Sequence, residues 1–363
     1  MDEMNATAPT DYYYYSEEFC TLSANYFMCS PGVISFVRNF EQYGIYAILP
    51  FAFLGNILTI VVTVSEIRKN SSSWYIFSIV ITDSFYLCVR AVSSSPVVSV
   101  SNMTPCKIAQ FLLYLANTLS VWLIVAMTTE RLFVVMFPLK ATRYLSVKIS
   151  ASFTEIIFVS SVYLACPALG LAGTFDYCNR SECGVMGGTI SSIWSTVIKV
   201  METYIPIPVL IINNSLIIVA IYRAKQFKSS MDTATNAPKH SKSKSNEKEI
   251  TQTLVIVSVV FLVLNLPSAI MNIVFMFTID EDKDTCTTKL EVAKTVAVIA
   301  DFLLKLSHGL NGYLYCLRSK KFRDRLKMIL CCKDPTPRAG FTATNQTRST
   351  TVTAIPMTSV NNI

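Results

Sequence analysis

Read for apolar runs, the chain divides into seven long stretches separated by shorter polar ones. They extend from Tyr43 to Val64, Trp74 to Val100, Cys106 to Met136, Ser150 to Leu171, Ser195 to Tyr222, Thr251 to Phe277 and Val292 to Leu317. A helix rises ~1.5 Å per residue, so about 20 residues cross the hydrocarbon core of a bilayer. Every face of these runs is apolar, not one stripe alone, which predicts membrane spans and not the amphipathic helices of a soluble core. No ten-residue alternation of the kind that builds a membrane barrel is present. The predicted fold class is an all-α membrane protein, a seven-transmembrane helix bundle.

Composition agrees: 52% of residues are hydrophobic and 15% charged, where a soluble domain is about a quarter charged. The few charges also set the orientation, because basic loops stay inside. Arg68, Lys69, Lys140, Arg143 and Lys148, the Lys-rich segment 223–248 and the cluster 318–327 all fall on one side. The other side has only Lys107, Arg180, Lys283 and Lys289 in its loops. The N-terminus is therefore expected outside and the C-terminus inside, with no cleavable signal, since "MDEMNATAP" lacks a basic start and an apolar core. Residues 1–42 read as an extracellular tail, 43–317 as the helix bundle, 318–332 as a short amphipathic eighth helix, and 333–363 as a disordered cytoplasmic tail.

Sequons at Asn5, Asn102 and Asn179 lie on the outer side and are candidate glycosylation sites, although two further sequons fall inside. Cys20, Cys29, Cys106, Cys178, Cys183 and Cys286 are also outside, an even number in an oxidising compartment. Cys88, Cys166 and Cys316 lie in spans and are expected to be packing residues. Cys331 and Cys332 follow the amphipathic segment as candidate palmitoylation sites on the inner leaflet.

The seventh run raises a question. "ADFLLKLSHGLNGYLYC" carries Asp301, Lys305, His308 and Asn311, and an ionisable group at mid-bilayer costs roughly 2.5–3.5 kcal/mol on insertion scales. Such groups persist where they are paired, hydrated or used. Asp301 and Lys305, one turn apart, could simply neutralise each other.

Residue motifs answer part of it. "LGN" at 54–56, Asp83 in the second run, Cys106 placed 25 residues before Arg131, and "TTERLFVVMFPLKA" from Thr128 all have counterparts in one family. So do Phe261 with Pro267, and Asn311 to Tyr315. In order and spacing the chain resembles the rhodopsin-like (class A) G-protein-coupled receptors over nearly all of residues 43–332. The resemblance implies a plasma-membrane receptor that performs no chemistry and has heterotrimeric G protein, arrestin and receptor kinases as partners, with no nucleic acid.

It also implies residue roles. Glu130 neutralises Arg131 in the resting state, and Pro138 and Leu139 begin a loop that docks on the G protein. Phe261, Asn265, Pro267, Asn311 and Tyr315 form the activation switch. Asp83, Ser120 and Ser307, with Asn311 nearby, correspond to the family's sodium pocket, so an allosteric sodium ion is the one cofactor to expect. Cys106 pairs with a cysteine of the second outer loop, Cys183 or Cys178. Several positions depart from the pattern: Leu132 follows Arg131, Asn214 replaces a tyrosine, and the fourth helix lacks its tryptophan. Asn265 replaces a bulky tryptophan, and Gly312 replaces a proline, trading a fixed kink for a flexible one.

For the ligand, Arg90, Gln110, Leu113, Asn117, Glu202, Asp301 and Lys305 are the expected pocket residues. Leu113 stands where amine receptors keep an aspartate, which argues against a monoamine. Charges of both signs suit a short peptide, and "FPLKA", "IPIPVLIINNSLII" and "DFLL" with "NGYLYC" resemble invertebrate neuropeptide receptors of the FMRFamide-receptor type. Two alternatives stay open: a receptor for a small charged metabolite, and an opsin-like photoreceptor in which Lys305, six residues before Asn311, holds retinal as a Schiff base. An intramembrane aspartyl protease using Asp83 and Asp301 lacks the Gly-x-Gly-Asp context, and a transporter would show an internal repeat. The tail "TDYYYYSEEF" resembles tyrosine-sulfation segments, and disordered solvation reads slightly better.

Overall fold

A computed structural model of the chain describes residues 31–68, 70–94, 103–177, 180–232, 242–278, 288–318 and 320–330. The expectations for Asn5, Asn102, Asn179, Cys20, Cys29, Cys178, Cys286, Cys331, Cys332, the tyrosine-rich tail and the C-terminal tail lie outside the described residues.

The long helices are α1 (Pro31–Thr63), α2 (Ser71–Ser93) and α3 (Met103–Met136). A short α4 (Pro138–Tyr144) leads to α5 (Val147–Ala165) and a single turn, α6 (Ala168–Leu171). A two-stranded antiparallel hairpin follows, β1 (Ala172–Tyr177) with β2 (Arg180–Val185), pairing Thr174 with Cys183. Next come α7 (Thr189–Lys199), a π-helical turn (Val200–Tyr204) and α8 (Pro206–Asp232), which together make the fifth span. The last three are α9 (Lys242–Thr278), α10 (Thr288–Arg318) and α11 (Lys320–Leu330).

Among the described residues, six helical stretches are long and apolar enough to cross a membrane: 42–63, 71–93, 103–136, 147–171, 189–224 and 251–274. The seventh, α10, has the length at 31 residues, but Asp301, Lys305, His308 and Asn311 dilute its apolar character. Its neighbours α1, α2 and α9 cover it instead. In the second run helix α2 is described to Ser93, and residues 95–100 lie outside the described residues.

Helix α3 is the axle of the bundle, packed by α2, α5 and α8 and buried at positions around most of its circumference. One apolar cluster joins Ile79, Ile124, Leu254, Phe261 and Tyr315 across four helices, with Val62 of α1 and Phe322 of α11 included. A second, around Ile45, Ile48, Tyr86, Leu87 and Leu113, fills the other half between α1, α2 and α3. Dispersion and shape, not water exclusion, hold such helices together in lipid, so small residues matter where backbones touch. Gly312 is one: a Cβ there would stand 2.1 Å from the Gly55 carbonyl oxygen. α10 runs continuously through Gly312, and the missing side chain lets α1 and α10 approach.

The π turn has a local cause. Pro206 has no amide N–H to give to the preceding turn, and Ile205 N instead donates to Val200 O at 2.9 Å. Single π turns of this kind often reorient side chains at working sites. Here the turn carries Glu202.

Two sequence expectations are corrected. Cys88 and Cys166 are exposed on the bundle's outer surface and not packed within it, because each falls on a helix face turned away from the neighbouring helices.

Candidate functional site: three polar layers through the bundle

The expected outer end is pinned by a disulfide between Cys106 at the start of α3 and Cys183 on β2, with Cα atoms 5.5 Å apart. Of the two cysteines left open by sequence, Cys183 is the partner. The hairpin therefore lies against α3, where Gln110 Nε2 donates to the Cys183 carbonyl at 3.3 Å.

Below it, charged groups form two sets. On one wall Lys305 Nζ lies 2.5 Å from Asp301 Oδ2, with Lys305 buried and Asp301 partly exposed. Arg90 reaches the same carboxylate oxygen at 3.9 Å from α2. On the other wall the π turn presents Glu202 to α3, where Asn117 Nδ2 donates to one oxygen at 2.7 Å and Thr118 Oγ1 to the other at 2.6 Å. Trp122 Nε1 donates to the Met201 carbonyl at 3.0 Å, fixing the turn itself. The expected pocket residues thus do not form one four-charge knot: Arg90, Asp301 and Lys305 gather, while Glu202 is held by neutral donors. Leu113 is buried in the apolar cluster beside them. Thr118 was not anticipated, and only its place next to Asn117 hinted at it.

The middle layer centres on Asp83, which is fully buried. Ser120 Oγ donates to Oδ1 at 2.6 Å, and Asn311 Nδ2 donates to Oδ2 at 2.6 Å. His308 Nδ1 stands 2.7 Å from Oδ1. Ser307, expected beside them, faces elsewhere. Its hydroxyl donates to Leu304 O at 2.7 Å and accepts from Asn265 Nδ2 at 3.3 Å. One residue along α10 rotates a side chain by about 100°, so His308 and Ser307 cannot both face Asp83. Asn265 also donates to Phe261 O at 2.7 Å, two residues before Pro267, which lies inside the continuous helix α9. Between α8 and α9, Ser258 Oγ donates to Asn214 Oδ1 at 2.7 Å, a link at the position where a tyrosine was expected.

The third layer lies at the expected cytosolic end. Glu130 and Arg131 are buried and paired side chain to side chain. Glu130 accepts two further hydrogen bonds, from Ser71 Oγ at 2.7 Å and Ser150 Oγ at 2.9 Å. The carboxylate therefore ties α2, α3 and α5 together, a role that nothing local in "TTERL" announces. Arg131 Nε and Tyr315 Oη are buried without a hydrogen-bond partner. Both residues line a cavity of about 390 Å³ together with Thr63, Glu66, Leu254 and Arg325. Phe322 of α11 packs on Tyr315, ring centroids 6.5 Å apart, and Arg325 pairs with Glu66 at 2.7 Å, anchoring α11 to the turn that follows α1. Pro138 starts α4, leaving Leu139 89% exposed.

The chain is thus a helix bundle with a disulfide-pinned outer hairpin, a buried carboxylate at mid-depth and a guarded arginine facing a cytosolic cavity. Residues 55–315 match the family model described as 7 transmembrane receptor (rhodopsin family), which makes it a multi-pass plasma-membrane protein coupling an extracellular ligand to a G protein, in a family of signalling receptors rather than enzymes. The chain belongs to the rhodopsin family of seven-transmembrane G-protein-coupled receptors.

Proposed function

We propose that the extracellular ligand is a short neuropeptide with charges of both signs, of the kind taken by invertebrate FMRFamide-type receptors. The observation that carries this reading is the separation of the two charged walls. Glu202 is satisfied by an amide and a hydroxyl, not by a cation, so a ligand amine or guanidinium can still find a counter-charge there. Opposite it, Arg90 and Asp301 keep side-chain exposures of 26% and 38%, so that wall remains open to a ligand's polar end. Leu113 in the apolar cluster offers no anchor for a monoamine.

Ligand contacts that favour an opened cytosolic end shift the population toward the state with Arg131 free. Leu139, exposed beside that end, is the apolar contact offered to the G protein. Glycans on Asn5, Asn102 and Asn179, palmitoyl groups on Cys331 and Cys332, and phosphorylation of the Thr- and Ser-rich tail for arrestin complete the reading.

The test is a calcium and cAMP response screen in transfected cells with a library of short amidated peptides. Wild type runs beside Asp301→Asn, Lys305→Met and Glu202→Gln. A peptide that activates wild type and loses about tenfold in potency on any of the three supports the assignment. Silence across the library with full surface expression overturns it, and retinal and small acidic metabolites become the next ligands to apply.

A further inference from the structure

We infer that the imidazole of His308 stands where the family's sodium ion would sit, so that this receptor's resting state depends on a donor built into the chain and not on extracellular sodium. The inference begins with what a hard cation needs, which is several oxygen lone pairs converging on one point. Around Asp83 the described side chains offer the reverse. An asparagine NH2 can only donate, and Asn311 Nδ2 donates to Oδ2 at 2.6 Å. Turning that amide over would set its oxygen 2.6 Å from a carboxylate oxygen, a repulsive contact.

His308 Nδ1 is 2.7 Å from Oδ1, and with a carboxylate as partner it is the nitrogen that donates. Ser120 spends its hydroxyl proton on the same oxygen at 2.6 Å. Ser307, the remaining oxygen of the expected set, is directed to Leu304 and Asn265. Both carboxylate oxygens are thus occupied by donors from α3 and α10. The residues present do not fit a sodium ion.

The imidazole is not a loosely placed group that an ion could push aside. His308 is 1% exposed, and its ring lies against Tyr86 with centroids 4.3 Å apart. Its Nε2 is buried with no hydrogen-bond partner. Burying an unpartnered ring nitrogen is unfavourable, so the contact of Nδ1 with Asp83 must offset it. Admitting sodium would remove that contact and leave both nitrogens unpartnered. The ion would also have to displace a ring that is buried and stacked against Tyr86.

The experiment uses the purified full-length receptor in detergent micelles. Its thermal unfolding is followed across a sodium chloride series balanced with N-methyl-glucamine chloride, so that ionic strength is constant. Wild type is expected to give a flat curve. His308→Ser, which removes the ring and supplies an oxygen, is expected to gain a saturable rise of roughly 2–4 °C, as a ligand that binds only the folded state produces. Asp83→Asn added to that variant should abolish the rise.

A saturable, sodium-specific rise in wild type overturns the inference. So does a folded His308→Ser whose curve stays flat, since the ring would then not be what excludes the ion. If His308→Ser does not fold, His308→Asn supplies the same oxygen in a larger side chain and is read by the same two criteria. If neither folds, the wild-type series decides alone, a flat curve supporting the inference and a saturable one overturning it. No ligand is needed, so failure of the peptide assignment leaves this result readable.

Discussion

Gly312 on α10 and Gly55 on α1 meet backbone to backbone: a β-carbon on Gly312 would lie 2.1 Å from the Gly55 carbonyl oxygen and 2.9 Å from Thr59 Oγ1. The Gly55 carbonyl already accepts from Thr59 Oγ1 at 2.9 Å, so this point is closed by main chain and by a committed hydroxyl.

Gly312→Ala must therefore push α1 and α10 apart. Overpacking costs roughly 1–3 kcal/mol, and the upper end is expected here because backbone cannot rotate away. Gly55→Ala meets the ring edge of Tyr313 at 2.6 Å, and a ring can yield where a carbonyl cannot. Thermal unfolding of the two variants in micelles should show the larger loss for Gly312→Ala. Equal losses would mean that the Gly55 carbonyl is not the obstacle described.

Glu130 holds Arg131 and accepts from Ser71 and Ser150 at once. Hydrogen bonds to a charged group contribute about 1.5–3 kcal/mol each, and a loss of 1.4 kcal/mol moves an equilibrium tenfold. Glu130→Gln keeps the shape but removes the charge, so ligand-free nucleotide exchange on purified G protein should rise by about tenfold. Ser71→Ala and Ser150→Ala should move it less and in the same direction. Arg131→Ala should abolish signalling while surface expression survives. Unchanged basal exchange in Glu130→Gln at wild-type expression would remove the restraining role from Glu130.

The Cys106–Cys183 bond closes a loop of 77 residues. On a chain-entropy basis such a crosslink stabilises by roughly 4 kcal/mol. Cys183→Ser should accordingly lower the unfolding midpoint and reduce antibody labelling of a tagged receptor on intact cells several-fold. Cys178→Ser should leave labelling near wild type. Equal loss in both would mean that the hairpin depends on more than this bond.

The spans, their order and the Cys106 and Arg131 landmarks were legible because they rest on composition and on spacing within a segment. The contacts between helices were harder to read, since rotation about each axis decides them. His308 came closest: it follows Asp301 and Lys305 at offsets of seven and three, on the face that also carries Asn311. What the sequence could not say is that this face meets Asp83, 225 positions earlier. Ser307 shows the opposite failure. The family pattern assigned it to the same cluster, but with His308 facing Asp83 the adjacent residue is turned toward Asn265. Ser71 and Ser150 were out of reach for the same reason, lying 59 and 20 positions from Glu130. The π turn, too, follows from Pro206, yet Pro206 does not by itself fix which side chain the turn will present.

That side chain is Glu202, and its two partners make it open to a graded test. Asn117 and Thr118 each donate to a separate oxygen of the carboxylate. Glu202→Gln removes the charge but keeps both contacts within reach, its oxygen accepting from Asn117 and its NH2 donating to the Thr118 hydroxyl, which can also accept. Thr118→Val removes one donor and leaves the charge in place. If Glu202 meets a cationic group of the peptide, Glu202→Gln should lower potency by tenfold or more, while Thr118→Val should shift it only a few-fold. If the carboxylate serves only to hold the π turn against α3, both variants should lower thermal stability by similar amounts and potency should follow stability. Concentration–response curves on receptors matched for surface expression, with unfolding midpoints measured beside them, separate the two roles.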